Sequence, residues 1–202
     1  MNLSFSTRGW NDLPWEDQVR DAEENRFQGI EVYNLTRFPA LTDRGGPFHP
    51  YRQNETLRGL KEHGLVISNL DTSIDLSQED VDPAEFAFLF SSAAALRAPS
   101  VSVCALTDDE DQVCRNIDAL LKPAADAGIS LLIKTTGIYA NTARLRDRIP
   151  PECLYVAESG VKGPEDIAAL RSIGADAALV GETLMRSEDK RAMLAAFREA
   201  AG

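Results

Sequence analysis

Short apolar runs rich in β-branched residues alternate along this chain with segments whose apolar positions recur at the helical period. Leu3–Ser6, Gly29–Tyr33, Leu65–Leu70, Val101–Ala105, Ile129–Ile133, Leu154–Ala157 and Ala177–Val180 read as strands. Helices are predicted over Trp15–Asn25, Asn54–His63, Pro83–Leu96, Asp111–Ala127, Asn141–Arg148, Pro164–Ile173 and Glu188–Ala201. Glycine and proline punctuate the pattern, as at Gly64 and at Pro150-Pro151. Strict alternation of strand and helix predicts an α/β fold with a parallel sheet wrapped by helices. The strands read as nearly continuous apolar runs, as in Leu131-Leu132-Ile133, which is the pattern of strands buried on both faces.

A parallel (βα) barrel of TIM type and an open doubly wound sheet both fit this alternation. No G-x-G-x-x-G follows any of the strands, which removes the commonest doubly wound form and any dinucleotide cofactor. The expectation is therefore a single barrel domain over residues 1–202, with seven clear βα units and the eighth strand unrecognised. Such barrels run from roughly 200 residues upward, so this chain is at the short end. A barrel of seven strands would leave an exposed edge, which invites a homodimer or partial opening.

Composition narrows the function classes. The 44% hydrophobic content supports one sizeable core. A net charge of −11 and a pI near 4.7 leave no basic stripe, so nucleic acid is not an expected partner. No apolar run approaches the ~18 residues of a membrane span, and the first residues do not read as a signal peptide, so a cytoplasmic protein with no membrane contact is expected. Cys104, Cys114 and Cys153 show no CxxC spacing and read as reduced thiols, neither a disulfide framework nor a zinc site. No cofactor is expected.

The strongest local signal lies near the C-terminus. Val156-Ala157-Glu158-Ser159-Gly160-Val161 and Ala178-Leu179-Val180-Gly181-Glu182-Thr183 each run from a strand straight into a glycine turn. Backbone N–H groups exposed at such turns form an anion nest, and barrels recurrently hold phosphate in the loops after their last two strands. Two ordinary turns that bind nothing would have the same pattern.

Other residues divide between chemistry and structure. Lys134, at the end of the fifth strand, is a candidate general acid or Schiff-base amine, or else a rim lysine paired with an acid. Asp71 and Asp75 follow the third strand as mouth carboxylates or as loop caps. His49 and Arg44-Gly45-Gly46 lie on a long loop and are weaker candidates, and His63 suits a helix C-terminus. Asp108–Asp111 reads as a solvated turn before a helix, and Trp10 and Trp15 as core or staple residues.

Residues 149–194, with AESGVKGPEDIAALRSIGADAALVGETLMRSED, resemble the final two βα units of indole-3-glycerol phosphate synthase. That resemblance implies a phosphate site lined by Ser159, Gly160, Gly181 and Glu182, with Glu158 turned toward substrate. Residues 1–148, with GIEVYNLTRF, SNLDTSIDLS and LLIKTTGIYANTARLRD, are similar to the sugar phosphate isomerase/epimerase family with its xylose-isomerase-like barrel. That family implies a divalent metal held by carboxylates and a histidine. The first ligand position is Lys134 here, so no metal is expected. The synthase chemistry implies an early-strand lysine with glutamate partners. None of the first four strands ends in lysine, which leaves Glu31 without its partner.

These readings make the chain an engineered or recombined, chimeric barrel scaffold joined near residues 135–150, with an inherited phosphate site and no efficient natural activity. The alternative is an isomerase or carbon–carbon lyase acting on a phosphorylated sugar-like metabolite, with Glu158 and Lys134 as acid and base. A third reading is a regulatory module that binds a phosphorylated small molecule.

Overall fold

The computed structural model describes residues 4–106, 109–136, 153–158 and 161–202. Seven parallel strands follow one another in chain order: β1 (Ser4–Ser6), β2 (Gly29–Tyr33), β3 (Val66–Asp75), β4 (Ser100–Ala105), β5 (Ser130–Thr136), β6 (Leu154–Glu158) and β7 (Ala177–Leu179). Each pairs with the next, β1 with β2 through to β6 with β7. A doubly wound sheet reverses its strand order partway, and this one does not. The fold is a TIM-like α/β fold in which the sheet curls toward a barrel. Among the described residues no pairing joins β7 back to β1.

The helices are α1 (Trp15–Glu24), α2 (Pro39–Thr42), α3 (Gln53–Glu62), α4 (Pro83–Ala95), α5 (Glu110–Ala127), α6 (Pro164–Ser172), α7 (Glu182–Arg186) and α8 (Lys190–Ala201). Most start where the sequence provides a cap. Asp82, Asp109 and Asp189 accept the N–H groups of Ala84, Gln112 and Ala192, and Pro164 opens α6. The helix expected over Asn141–Arg148 lies outside the described residues. Short helical pieces not foreseen are the 3-10 turn Thr7–Gly9, α2 with the 3-10 turn Leu35–Arg37 before it, and α7. The glycine- and proline-rich stretch 43–50 is irregular, as expected.

The main core lies between sheet and helices. Ile30, Val32, Ile67, Leu70, Val101, Val103, Leu131 and Ile133 pack with Val19, Leu60, Phe86 and Ile117 from the surrounding helices. A smaller cluster of Ala157, Val161, Ile167, Leu170 and Phe197 holds the C-terminal end. The expectation of strands apolar on both faces is corrected here. On β2, β3 and β4 the positions between the core residues are polar: Glu31, Asn69 and Asp71, and Ser100 and Ser102 are all buried. These strands alternate, with apolar residues facing the helices and polar residues filling the interior of the curl.

One irregularity shapes that interior. Ile30 pairs with Ile67 but Glu31 pairs with Asn69, so Ser68 is an extra residue in β3. Such a bulge re-aims the side chains beyond it. No helix among the described residues is long and apolar enough to cross a membrane.

Gly29 marks the tightest approach between strands. A Cβ there would lie 2.8 Å from Ser4 Oγ and 2.9 Å from Ser68 Cβ. Gly29→Ala is expected to destabilise the fold by about 1–3 kcal/mol in denaturant unfolding. Combining it with Ser68→Gly, which removes the obstructing carbon, is expected to recover part of that loss.

Candidate functional site

The interior polar residues converge on Lys134. Its Nζ lies 2.8 Å from Asp71 Oδ2 and 3.3 Å from Glu31 Oε2. Lys134 is 1% exposed, Asp71 2% and Glu31 9%, so this is a buried centre and not a pairing at the barrel rim. The rim-lysine alternative is thereby corrected in its placement, since the lysine does pair acids but inside the curl. None of the first four strands ends in lysine, as expected, and the lysine that meets Glu31 comes from β5.

Each carboxylate is oriented by a fixed set of donors. Glu31 Oε1 accepts from the Ser6 hydroxyl at 2.8 Å, and Oε2 accepts from Asn69 Nδ2 at 2.8 Å. Asn69 Nδ2 also donates to Ser102 Oγ at 2.8 Å, and its Oδ1 accepts from Ser100 Oγ at 2.9 Å. Ser102 Oγ in turn donates to Asp71 Oδ1 at 3.2 Å. The backbone N–H of Ser73 donates to the same oxygen at 3.1 Å. Ser73 has φ +53°, the left-handed turn that lets its N–H face back toward Asp71. The bulge at Ser68 sets Asn69 beside Glu31, so the local irregularity builds the site.

Two carboxylates and one ammonium leave the buried centre with a net negative charge. Held by both carboxylates, Lys134 Nζ is placed as a donor in the interior of the curl. A divalent cation does not fit this donor set, because the ammonium already occupies the position between the two carboxylates. Among the described residues no group of three or more His, Cys, Asp or Glu converges to hold a metal.

The remaining candidates are placed as follows. Asp75 caps the chain after β3: its Oδ1 accepts the Ser77 hydroxyl at 2.6 Å and the N–H groups of Ser77 and Leu106. Burial pushes its carboxyl up, but these hydrogen bonds and one from Gln78 hold it, on balance, below its ordinary value. His63 ends α3 and pairs with Glu23 at 2.8 Å, and His49 stacks on Tyr51 in the long loop. Neither is brought to Lys134. Trp10 packs on Phe5 and Trp15 on Phe48, as core residues should. Gly45 accepts from the Arg52 guanidinium within the long loop. Asp109 caps α5, and Asp108 lies outside the described residues. Cys104, Cys114 and Cys153 form no disulfide with one another.

Of the phosphate candidates, Ser159 and Gly160 lie outside the described residues, as do the side chains of Glu158 and Glu182. Gly181 is exposed directly before α7, with no atom near where a Cβ would sit. The Thr183 hydroxyl donates to the carbonyl of Val161, tying the turn after β7 to the turn after β6. Asp166 Oδ2 accepts the N–H groups of Lys162 and Gly163, so those donors at the head of α6 are already engaged.

Comparison with known proteins shows a mixed resemblance. The sequence model of the indole-3-glycerol phosphate synthase family matches residues 132–197. The chain is 43% identical over 88 residues to the indole-3-glycerol phosphate synthase of Ruminiclostridium cellulolyticum, which is 40% of this chain and 34% of that protein. With the Streptomyces griseus synthase it shares 38% identity over 102 residues, 49% of this chain and 37% of that one. The chain thus spans about a third of the length of these relatives. The family match begins at residue 132, ahead of the expected joint, and includes Lys134.

Solved structures add the other half of the resemblance, at identities that speak to fold alone. A 3-keto-D-glucoside 4-epimerase from E. coli superposes with TM-score 0.65 at 13% identity, covering 98% of this chain and 99% of that one. A sugar phosphate isomerase/epimerase from Parabacteroides distasonis superposes with TM-score 0.58 at 11% identity, covering 99% and 94%.

Two predictions follow from the geometry. Lys134→Met leaves two buried carboxylates without their cation and is expected to cost about 3–5 kcal/mol in denaturant unfolding. The triple variant Lys134→Met/Glu31→Gln/Asp71→Asn is expected to recover most of it. Asp75, with its carboxyl held low in the folded state, contributes stability above the ordinary carboxylate pKa of about 3.9, and that stability is lost as pH falls through the lower folded value. Asp75→Asn is therefore expected to reduce the loss of stability on acidification below roughly pH 4, measured by thermal unfolding across pH.

Proposed function

We propose that this barrel is an acid–base enzyme acting on a phosphorylated, sugar-like metabolite, as an isomerase or a carbon–carbon lyase. The observation that carries this reading is the Lys134 ammonium held between Glu31 and Asp71 inside the barrel. Interior positions of such barrels are ordinarily filled by branched apolar side chains. A buried charge cluster in their place has a desolvation cost that packing does not require, and strongly interacting ionisable groups in a cavity are a signature of chemistry.

In this reading Lys134 donates a proton or a hydrogen bond to the substrate carbonyl oxygen as charge develops on it. A carboxylate of the pair, Glu31 or Asp71, takes the proton from the adjacent carbon, and the electron pair of the broken C–H bond forms the enediol. Returning that proton to the neighbouring carbon, while the other enediol hydroxyl gives its proton back to Lys134 and becomes the new carbonyl, completes an isomerisation. Glu158, after β6, is a second candidate base by resemblance to the synthase. The phosphate would be gripped at the turns containing Ser159-Gly160 and Gly181-Glu182. The hydrogen bond from Thr183 to Val161 supports this, because it holds the two turns together. Coverage of about a third of the synthase relatives leaves their own reaction a proposal here.

The second reading is the recombined scaffold that retains the phosphate site and has no efficient activity. It is favoured by the strand order, in which β1 and β7 lack a mutual ladder among the described residues. Assays on a panel of aldose and ketose phosphates separate the two. The enzyme reading expects turnover that falls at least about a hundredfold in Glu31→Gln. Absence of turnover across the panel would sink it. Thermal unfolding tests the phosphate site by itself. At a ligand concentration ~100 times its Kd, binding adds about 2.7 kcal/mol to the stability. Gly181→Asp is expected to abolish the gain by placing a carboxylate in the nest, and Gly181→Ala to retain most of it.

A further inference from the structure

The buried centre holds four carboxylate oxygens, and what each one faces decides where a proton can rest. Glu31 Oε2 faces Asn69 Nδ2 at 2.8 Å and Lys134 Nζ at 3.3 Å. Asp71 Oδ2 faces Lys134 Nζ at 2.8 Å. Asp71 Oδ1 faces the Ser73 backbone N–H at 3.1 Å as well as the Ser102 hydroxyl at 3.2 Å. An ammonium, an amide nitrogen and a backbone N–H can only donate. A proton on any of these three oxygens would therefore point a donor at a donor. Glu31 Oε1 differs, because its partner is the Ser6 hydroxyl at 2.8 Å. A hydroxyl has one hydrogen to give and two lone pairs to accept with, and it rotates to suit. Among the described residues Ser6 Oγ accepts only the Arg8 N–H, at 3.4 Å, so a lone pair remains for a proton arriving on Oε1. Ser6 and Glu31 also line the interior cavity of about 670 Å³, and Asp71 does not. The Glu31 side chain is 11% exposed, against 1% for Asp71.

We infer that Glu31 Oε1 is the proton-accepting position of the centre, that Ser6 is its positioning residue, and that Asp71 stays ionised as the positioning residue of Lys134. The base of the reaction is then Glu31 and not Asp71. As the C–H bond of the substrate breaks, its electron pair forms the enediol and its proton becomes the hydrogen on Oε1. That hydrogen is donated to Ser6 Oγ, and the hydrogen Ser6 had given to Oε1 turns toward the cavity. Return of the proton to the neighbouring carbon reverses both movements. This deepens the acid–base reading and rests on it for the reaction, while the inequality of the two carboxylates stands on the hydrogen bonds alone.

An amide is a neutral mimic of a protonated carboxyl, so two single variants test the inequality. In Glu31→Gln the amide oxygen sits beside Asn69 and Lys134, and the amide nitrogen donates to Ser6 Oγ. In Asp71→Asn the amide oxygen must remain on the Ser73 N–H, which turns the amide nitrogen against the Lys134 ammonium. The reporter is the heteronuclear NMR signal of the Lys134 ammonium. Lys61, Lys122, Lys162 and Lys190 are exposed and exchange their protons with water too fast to be seen, so a persistent signal belongs to Lys134. It is expected in the unmodified protein and in Glu31→Gln. In Asp71→Asn it is expected to be lost, or the fold lost with it. Absence of the signal from the unmodified protein, its loss or a failure to fold in Glu31→Gln, or its persistence in Asp71→Asn would each overturn the inference. Turnover of the aldose and ketose phosphates then tests Ser6. Ser6→Ala is expected to lower kcat about tenfold with little change in KM, the loss of one hydrogen bond to a charged group, and Ser6→Thr to restore most of it. An unchanged kcat in Ser6→Ala would remove Ser6 from the inference's account and overturn it. No turnover in any protein, with the ammonium signals as expected, would sink the acid–base reading and leave the inequality of the carboxylates standing. Turnover with the signals reversed would overturn this inference and leave that reading in place.

Discussion

A lysine ammonium buried between two carboxylates can persist only if every group around it is satisfied, and much of this barrel's interior is arranged to meet that demand. Ser6 and Asn69 occupy the two oxygens of Glu31, while Ser102 and the Ser73 backbone occupy Asp71. Ser100 completes the set by donating to Asn69. Five strands therefore contribute to one network, and its geometry depends on the register of each against the next. A buried ion pair of this kind is weak evidence for stability, because desolvation offsets the Coulombic attraction. What it demands is positional precision, and the bulge at Ser68 and the left-handed turn at Ser73 are the local adjustments that supply it.

The architecture was legible because it rests on local signals. Apolar runs bounded by Gly64, Gly128 and proline located the strands, and caps such as Asp82 and Asp109 located the helix starts. The polar interior was not legible in the same way. Glu31, Asn69, Asp71, Ser102 and Lys134 come from four strands, and nothing in their spacing announces that they meet. A signal was nonetheless present. Ser100-Val101-Ser102-Val103 and Gly29-Ile30-Glu31-Val32 alternate polar or small residues with branched apolar ones, the period of a strand with only one greasy face. Treating Leu131-Leu132-Ile133 as typical of all strands hid that alternation. It made Lys134 look like a residue of the rim.

The two resemblances divide the chain, and the buried charge cluster around Lys134 crosses the division. Lys134 falls within the stretch matched to the synthase family, whereas Glu31, Asn69, Asp71 and Ser102 come from the preceding strands. Complementary charges from both parts meeting within hydrogen-bonding distance support a site that works as one unit. They weigh against an idle join of unrelated pieces. The AESG and VGET stretches stand out in the sequence chiefly through their likeness to the synthase, and the hydrogen bond from Thr183 to Val161 ties the turns that follow β6 and β7.

The strictly sequential strand order has a mechanical consequence. Every strand is bonded to its neighbour in the chain, so the sheet is built like a zipper, but each parallel pairing closes a whole crossover, a topology associated with slow folding. With no pairing of β7 to β1 among the described residues, such a zipper opens from its ends. β1 and β7, each held by a single ladder of three residue pairs, are the natural fraying points. The central strands β3 to β5, clasped on both sides and pinned by Lys134, form the kinetic heart of the molecule. The ladder support of the sheet thus falls off along the strand order, from β3 to β5, paired on both sides, to the three-pair ladders of β1 and β7.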